Sequence, residues 1–469
     1  MRLDRRSVVF GAAGLLGAGC ASTAARGAFD DASGAFEHGD ATRAGVFPQA
    51  APFASTGGAA EALRAPAPMP GLWNVAFDRR GRGFALHGVL GGGAGQMTPT
   101  VSGFDPETLQ EAWRTPLPLA GPDLWNYPGS VAVHANGDVY VAYTCRMAKL
   151  DPATGRVLAV ADLPAPNGLA DTTYNGFTIL SDGTIHTKSH HRKGDCPAQG
   201  YRAFIECGVD GLPASALVLL DPETLQRRWT GAAPELIGGR VTLARRGDRE
   251  LVYLAGDTFV HRMVYDGRSL REDTSWPAVR YRDGAETPGT AVVVFGDQVV
   301  IQNNAIPTRA PLRVTFIAQD DPQRVRSVAP YPEAAWSFMP SKVSADASLG
   351  LVYSADAHSG LAAIALEASG EPGVRWRAPY RTGSFLTLLG DAPARTMVIS
   401  DIGAAPFDEF GAPRHMTETV HWLSARDGRR LASIPDLPRN FGLTLTPWTD
   451  GSIFMATRTS GLYRLRPGP

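Results

Sequence analysis

From Tyr174 to Arg192 the chain reads YNGFTILSDGTIHTKSHHR. Phe177 to Leu180 is an apolar run, Ser181-Asp182-Gly183 a turn, and Thr184 to Lys188 a second extended run. Thr178, Ile179, Ile185 and Thr187 are β-branched, so the stretch predicts a β-hairpin closed by an aspartate-glycine turn. The same pattern returns at 131–144, 242–256, 291–303, 343–356 and 445–457. A hairpin repeating about every 50 residues is one unit of a repeat array, and the reading is an all-β β-propeller. First strands begin near Asn74, Ser130, Gly176, Arg240, Thr290, Ser341, Phe385 and Gly442. The count is eight four-stranded antiparallel blades, with seven as the alternative if one interval conceals an irregular loop. The last blade shows only three strands, and a strand near Ala62–Ala67 is expected to complete it and close the ring.

A second repeat marks the outer strands. Asp105-Pro106-Glu107-Thr108-Leu109 leads to Trp113, Asp151-Pro152-Ala153-Thr154-Gly155 to Val157, and Asp221-Pro222-Glu223-Thr224-Leu225 to Trp229. Asp-Pro opens a turn because Pro presets φ and the Asp oxygen accepts nearby N–H groups. This pattern resembles the tryptophan-docking repeat of quinoprotein-like propellers (the PQQ-like repeat), over residues 66–469. YNGFTILSDGTIHTK, WSFMPSKVSAD at 336–346 and GSFLTLLG at 383–390 are similar to bacterial lipoproteins of that kind. The resemblance implies the fold. It does not carry over the pyrroloquinoline quinone cofactor, because adjacent cysteines and the matching calcium set are missing.

The front of the chain reads differently. Arg5-Arg6 precede a short apolar run ending Leu16-Gly17-Ala18-Gly19-Cys20. This resembles a twin-arginine export signal ending in a lipobox, with Gly17 where a branched residue is usual. Residues 1–20 are therefore read as a signal and Cys20 as the lipidation site. The Ala/Gly/Ser-rich 21–65 read as a flexible tether, and 66–469 as the propeller domain. Export to the periplasm or cell envelope permits a disulfide between Cys196 and Cys207, with two reduced thiols as the alternative, and leaves Cys145 buried. A formal net charge of -1 argues against a nucleic-acid surface, and the membrane is reached only through the N-terminal lipid.

In a propeller the first strand of each blade starts on the face where the second strand ends. That rule collects Asn74, His87, Asn126, Tyr127, Tyr174, Asn175, Lys188, His190, Arg240, Asn303, Asp356, His358, Asp401 and Arg458 at one channel mouth. Aromatics, amides, carboxylates and bases on one face have the composition of a ligand pocket. The alternative is that they hydrogen-bond loop ends. The extra length at 187–213 is expected to fold over the mouth as a lid pinned by Cys196 and Cys207. Lys188 and Arg240 point to an anionic or carbonyl-bearing small molecule or oligomer, with Asp257 as the other candidate counter-ion for Lys188. Calcium held by Asn74, Asn126, Asn175, Asp356 and Asp401 would make a hydrolase or lactonase. Two rivals remain at this stage: an envelope scaffold binding protein partners, and an oxidoreductase with an unusual or lost quinone. No HExxH, CxxC or GxSxG motif is present.

Overall fold

The structure, a computed structural model, describes residues 27–54, 60–89, 98–121, 124–283, 287–304, 310–333, 341–382, 384–407, 414, 417–457 and 459–468, without the side chains of 442 and 443. The signal region with Cys20, and Arg458, lie outside the described residues.

Eight antiparallel sheets form the ring, at 74–116, 130–162, 177–232, 237–272, 292–328, 344–378, 387–438 and 440–466, here blades 1 to 8. Strand character within each blade follows burial. Ser130–Val133 and Val139–Tyr143 are buried on both faces and read as continuous apolar runs. The outermost Val157–Asp162 alternates half-buried and exposed residues. Full burial of a side chain such as Val131 or Val141 stabilises by about 1.5–3 kcal/mol, and each blade repeats it.

The outer repeat joins blades. Asp151 Oδ1 accepts the N–H groups of Ala153 (2.8 Å) and Thr154 (2.9 Å), which fixes the turn. Trp113 of blade 1 lies on that turn of blade 2, donating from Nε1 to Pro152 O at 3.3 Å. A Cβ on Gly155 would sit 2.3 Å from the indole, so the turn accepts only glycine there. Trp376 meets Gly428 in the same way between blades 6 and 7. The ring closes as expected: Glu61–Arg64 is the outermost strand of blade 8, antiparallel to Gly461–Arg466.

The described part of 21–65 is not a tether. Residues 27–54 line the channel and pass the blades in turn. Val133 N donates to Ala35 O, Leu243 N to Ala41 O, Val294 N to Thr42 O, Ala345 N to Ala44 O, and Leu388 N to Gly45 O. Val46–Phe47 then pairs in parallel with Thr387–Leu389 as a fifth strand of blade 7. Small residues serve close approach here, not flexibility. Gly39 (φ +91°) would place a Cβ 2.4 Å from Val46 O, and Gly45 (φ +77°) one 2.9 Å from Leu386 O. The backbone partners of this liner lie from the middle to the ends of the first strands, and Arg43 also reaches Phe177 at a strand start, so the liner fills the channel between its two faces.

Candidate functional site

Between the liner and the opposite face lies a buried cluster of basic side chains, here called the chamber. Its floor comes from the liner: Glu37 Oε1 accepts from Arg43 Nη1 at 2.9 Å and from Arg240 Nε at 2.6 Å. Arg43 is fully buried and also donates to Val241 O and Phe177 O. That glutamate–arginine–arginine cluster anchors the liner to blades 3 and 4. Among the described residues the Arg240 guanidinium makes no other hydrogen bond. Lys342 donates from Nζ to Arg43 O at 2.9 Å, and burial lowers its amine to about 7. His38 packs edge-on against Phe385, and burial holds its imidazole well below the usual range. A cavity of about 10 Å³ beside Glu37, His38 and Thr446 has room for about one water.

The wall above carries the sequence-derived candidates Lys188, His190, Asn175 and Tyr127. Lys188 is fully buried; Nζ donates to Ile237 O at 2.8 Å and lies 3.4 Å from His190 Nδ1. No carboxylate among the described residues pairs with it. Asp257, its candidate counter-ion, is paired with Arg282 instead. Burial, then the Arg240 charge, drives the Lys188 amine well below its ordinary value. Burial does the same to His190, with Lys188 adding to it. The Tyr127 phenol is pushed up to about 12 by burial, against the lowering effect of Arg240 and Asn175. Asn175 Oδ1, His190 Nε2 and Glu37 Oε2 are buried with no hydrogen-bond partner among the described residues.

Residues 192–213 form the roof. The helix Arg202–Cys207 buries Phe204 against His190, ring centroids 4.5 Å apart, and against Trp125 and Tyr127. Tyr201 donates to Thr287 Oγ1 at 2.7 Å and accepts from Asn304 Nδ2 at 3.0 Å, so the segment reaches across to blade 5. Cys196 and Cys207 are joined in a disulfide, and Cys145 is free and buried. The disulfide expected to pin the lid is present, and among the described residues the lid packs over the ends of blades 2, 3 and 5 on this face.

The remaining candidates are tied to other groups. His87 Nε2 meets Ser102 Oγ at 3.0 Å, and burial lowers it to about 4. Tyr174 donates to Pro164 O, and Asn303 accepts from Arg313 N. Asn126 N donates to Gln199 Oε1 of the lid, holding it in place. Asp356 accepts from the His358 and Ser359 N–H groups, and His358 stacks on Phe407. Asp401 caps Arg381 N and Gly403 N. Asn74 Nδ2 approaches Val131 O at 3.5 Å. These contacts secure loop ends, and the two aspartates are committed to them. Among the described residues no three His, Cys, Asp or Glu gather to hold a metal.

No protein-family model matches the sequence, and no curated protein is significantly similar to it. Solved structures share its architecture. A quinohemoprotein alcohol dehydrogenase from Pseudomonas putida HK5 superposes with a TM-score of 0.56 at 11% identity, over 92% of this chain and 80% of that one. The corresponding enzyme from Comamonas testosteroni gives 0.52 at 11%, over 94% and 82%. The fold is that of the quinoprotein-like propellers. BamB from Moraxella catarrhalis is also similar, with a TM-score of 0.46 at 13% identity over 87% of this chain and 98% of that one. This quinoprotein-like propeller does not fit a quinone held against adjacent cysteines and calcium. Its four cysteines are all separate in sequence, and Phe36, Glu37 and Arg43 fill the channel.

Glu37, His38, Lys342 and Trp125 were not among the sequence candidates. The first two lie in a stretch whose composition hides them. Lys342, two residues before the strand Ser344–Asp346, stood at a blade start where the face rule could have found it.

Proposed function

We propose that this exported, lipid-anchored propeller binds a small carboxylate-bearing molecule in the chamber beneath the lid. One observation carries the reading: Arg240 and Lys188 lie buried together, Glu37 is shared between Arg43 and Arg240, and no carboxylate among the described residues meets Lys188. A buried cation is costly unless compensated. A ligand carboxylate would satisfy the free guanidinium nitrogens and give Lys188 the counter-ion it lacks. The lid packed above favours a small molecule over an oligomer. The committed aspartates give no support to a calcium-assisted hydrolase, and no reaction step is derived. Export and lipidation rest on Arg5-Arg6 and the run ending in Cys20.

The test is a thermal-shift screen of wild type and Lys188→Met against small carboxylates, lactones and sugar acids. Hits that stabilise wild type and fail with Lys188→Met support the chamber. Equal shifts in both proteins for every hit would make Lys188 structural and the reading wrong.

A second reading, a protein partner on the rim, is favoured by one feature. Leu158 and Val160 point outward from the edge strand of blade 2, each 37% exposed. Charge placed there (Leu158→Lys with Val160→Glu) should abolish a stoichiometric envelope partner recovered with wild type, if such a partner docks on that edge.

A further inference from the structure

The described chain begins at the hairpin-turn face. Ala135 N donates to Ala28 O, Phe29 bridges His134, and Asp30 N donates to Val133 O. All three partners adjoin the Asn136-Gly137 turn. Asp30 also accepts from Arg79 N, beside the Arg80-Gly81 turn. The lid lies at the other end of the same strands: Gly200 N donates to Asn126 O, ahead of Ser130 where the first strand of blade 2 starts. The turn face and the lid face are thus opposite ends of one ring.

Seven residue steps separate Cys20 from Gly27. Fully extended, each covers about 3.3–3.6 Å, so the tether reaches at most about 25 Å. We infer that the hairpin-turn face is the membrane-facing surface of this protein and that the lid opens away from the bilayer. The inference rests on the lipid attachment proposed above. So short a tether, fixed to the liner near the channel and not to the rim, cannot let the lid face turn to the membrane. Beside its origin is a polar cleft of about 160 Å³, lined by Asp30, Asp78, Arg79 and Arg80. Both signs of charge there match a zwitterionic headgroup, with its phosphate and ammonium, better than a purely anionic surface. The ligand chamber is then reached from the aqueous side.

Fluorescence quenching tests the orientation on full-length lipidated protein in phosphatidylcholine vesicles doped with a nitroxide-headgroup lipid. One label goes at Asp248→Cys, in the exposed turn between Ile237–Arg246 and Arg249–Gly256, and a second, separately, at Asp210→Cys in the lid. The buried Cys145 and the disulfide leave the new thiol as the one that reacts. The expected result is several-fold stronger quenching at position 248 than at 210. Equal quenching, or stronger quenching at 210, in vesicle-bound protein would overturn the inference while leaving the anchor intact. Mass spectrometry showing no lipid on the mature N-terminus, with no vesicle binding, would remove the anchor and the inference together. In neither case is the ligand reading touched.

Discussion

Glu37 holds together two guanidinium groups that belong to distant parts of the chain, Arg43 in the liner and Arg240 in blade 4. Removing one member of a buried ion cluster leaves the others uncompensated, at a cost of about 3–5 kcal/mol. Glu37→Gln should therefore lower stability by that order in denaturant unfolding; a loss below about 1 kcal/mol would show that solvent already reaches the cluster. The buried histidines set a second expectation. His87, His186 and His191 are each lowered to about 4 by burial, and His190 lies well below its ordinary value. Their folded pKa values are below the unfolded one, so the unfolded chain takes up protons first as pH falls. Stability from these groups is complete above about pH 6.5 and is lost on acidification towards the folded values. Asp30, Asp257 and Asp356 are raised by burial and act in the opposite direction. Each histidine can contribute up to about 2 kcal/mol of loss by pH 5, so the melting temperature should fall between pH 7 and 5. A flat profile over that interval would mean that these imidazoles are hydrated.

Two elements set the shape of the chamber: the liner and the lid. The liner depends on positions where no side chain fits. Gly39→Ala forces a Cβ against Val46 O at a positive φ and should destabilise by at least about 1–2 kcal/mol, read from the unfolding midpoint. An unchanged midpoint would mean that 27–54 adds nothing to ring stability. The lid depends on a bridge across a short loop. Thiol counting on unfolded, non-reduced, lipidated protein should find one thiol, from Cys145; three would unpin the lid. Hairpins such as Phe177–Lys188 could be read from sequence because turn chemistry and alternation are local properties. The liner could not, since its hydrogen bonds to the ring go to blades as far along the chain as Val294, Ala345 and Leu388, and its small side chains look the same in a linker and in a tight channel. Half of the site was legible for the same reason. Lys188 and Arg240 stand at strand ends that the repeat locates, whereas Glu37 faces them only because the liner goes round inside the ring.

At the scale of the molecule, three segments complete the ring. Glu61–Arg64 seals the last blade, the liner runs along the channel, and the lid packs from blade 2 across to blade 5. Inside, the buried groups are more basic than acidic, and a carboxylate ligand would complete them. Calorimetric titration of the strongest hit from the screen, at pH 8 in buffers of different ionisation enthalpy, tests this. Without ligand, burial and then Arg240 hold the Lys188 amine well below its ordinary value. A bound carboxylate supplies the missing counter-ion and raises its pKa, so binding should take up protons in wild type and not in Lys188→Met. Binding of equal strength in both proteins, with heats independent of buffer, would contradict the account.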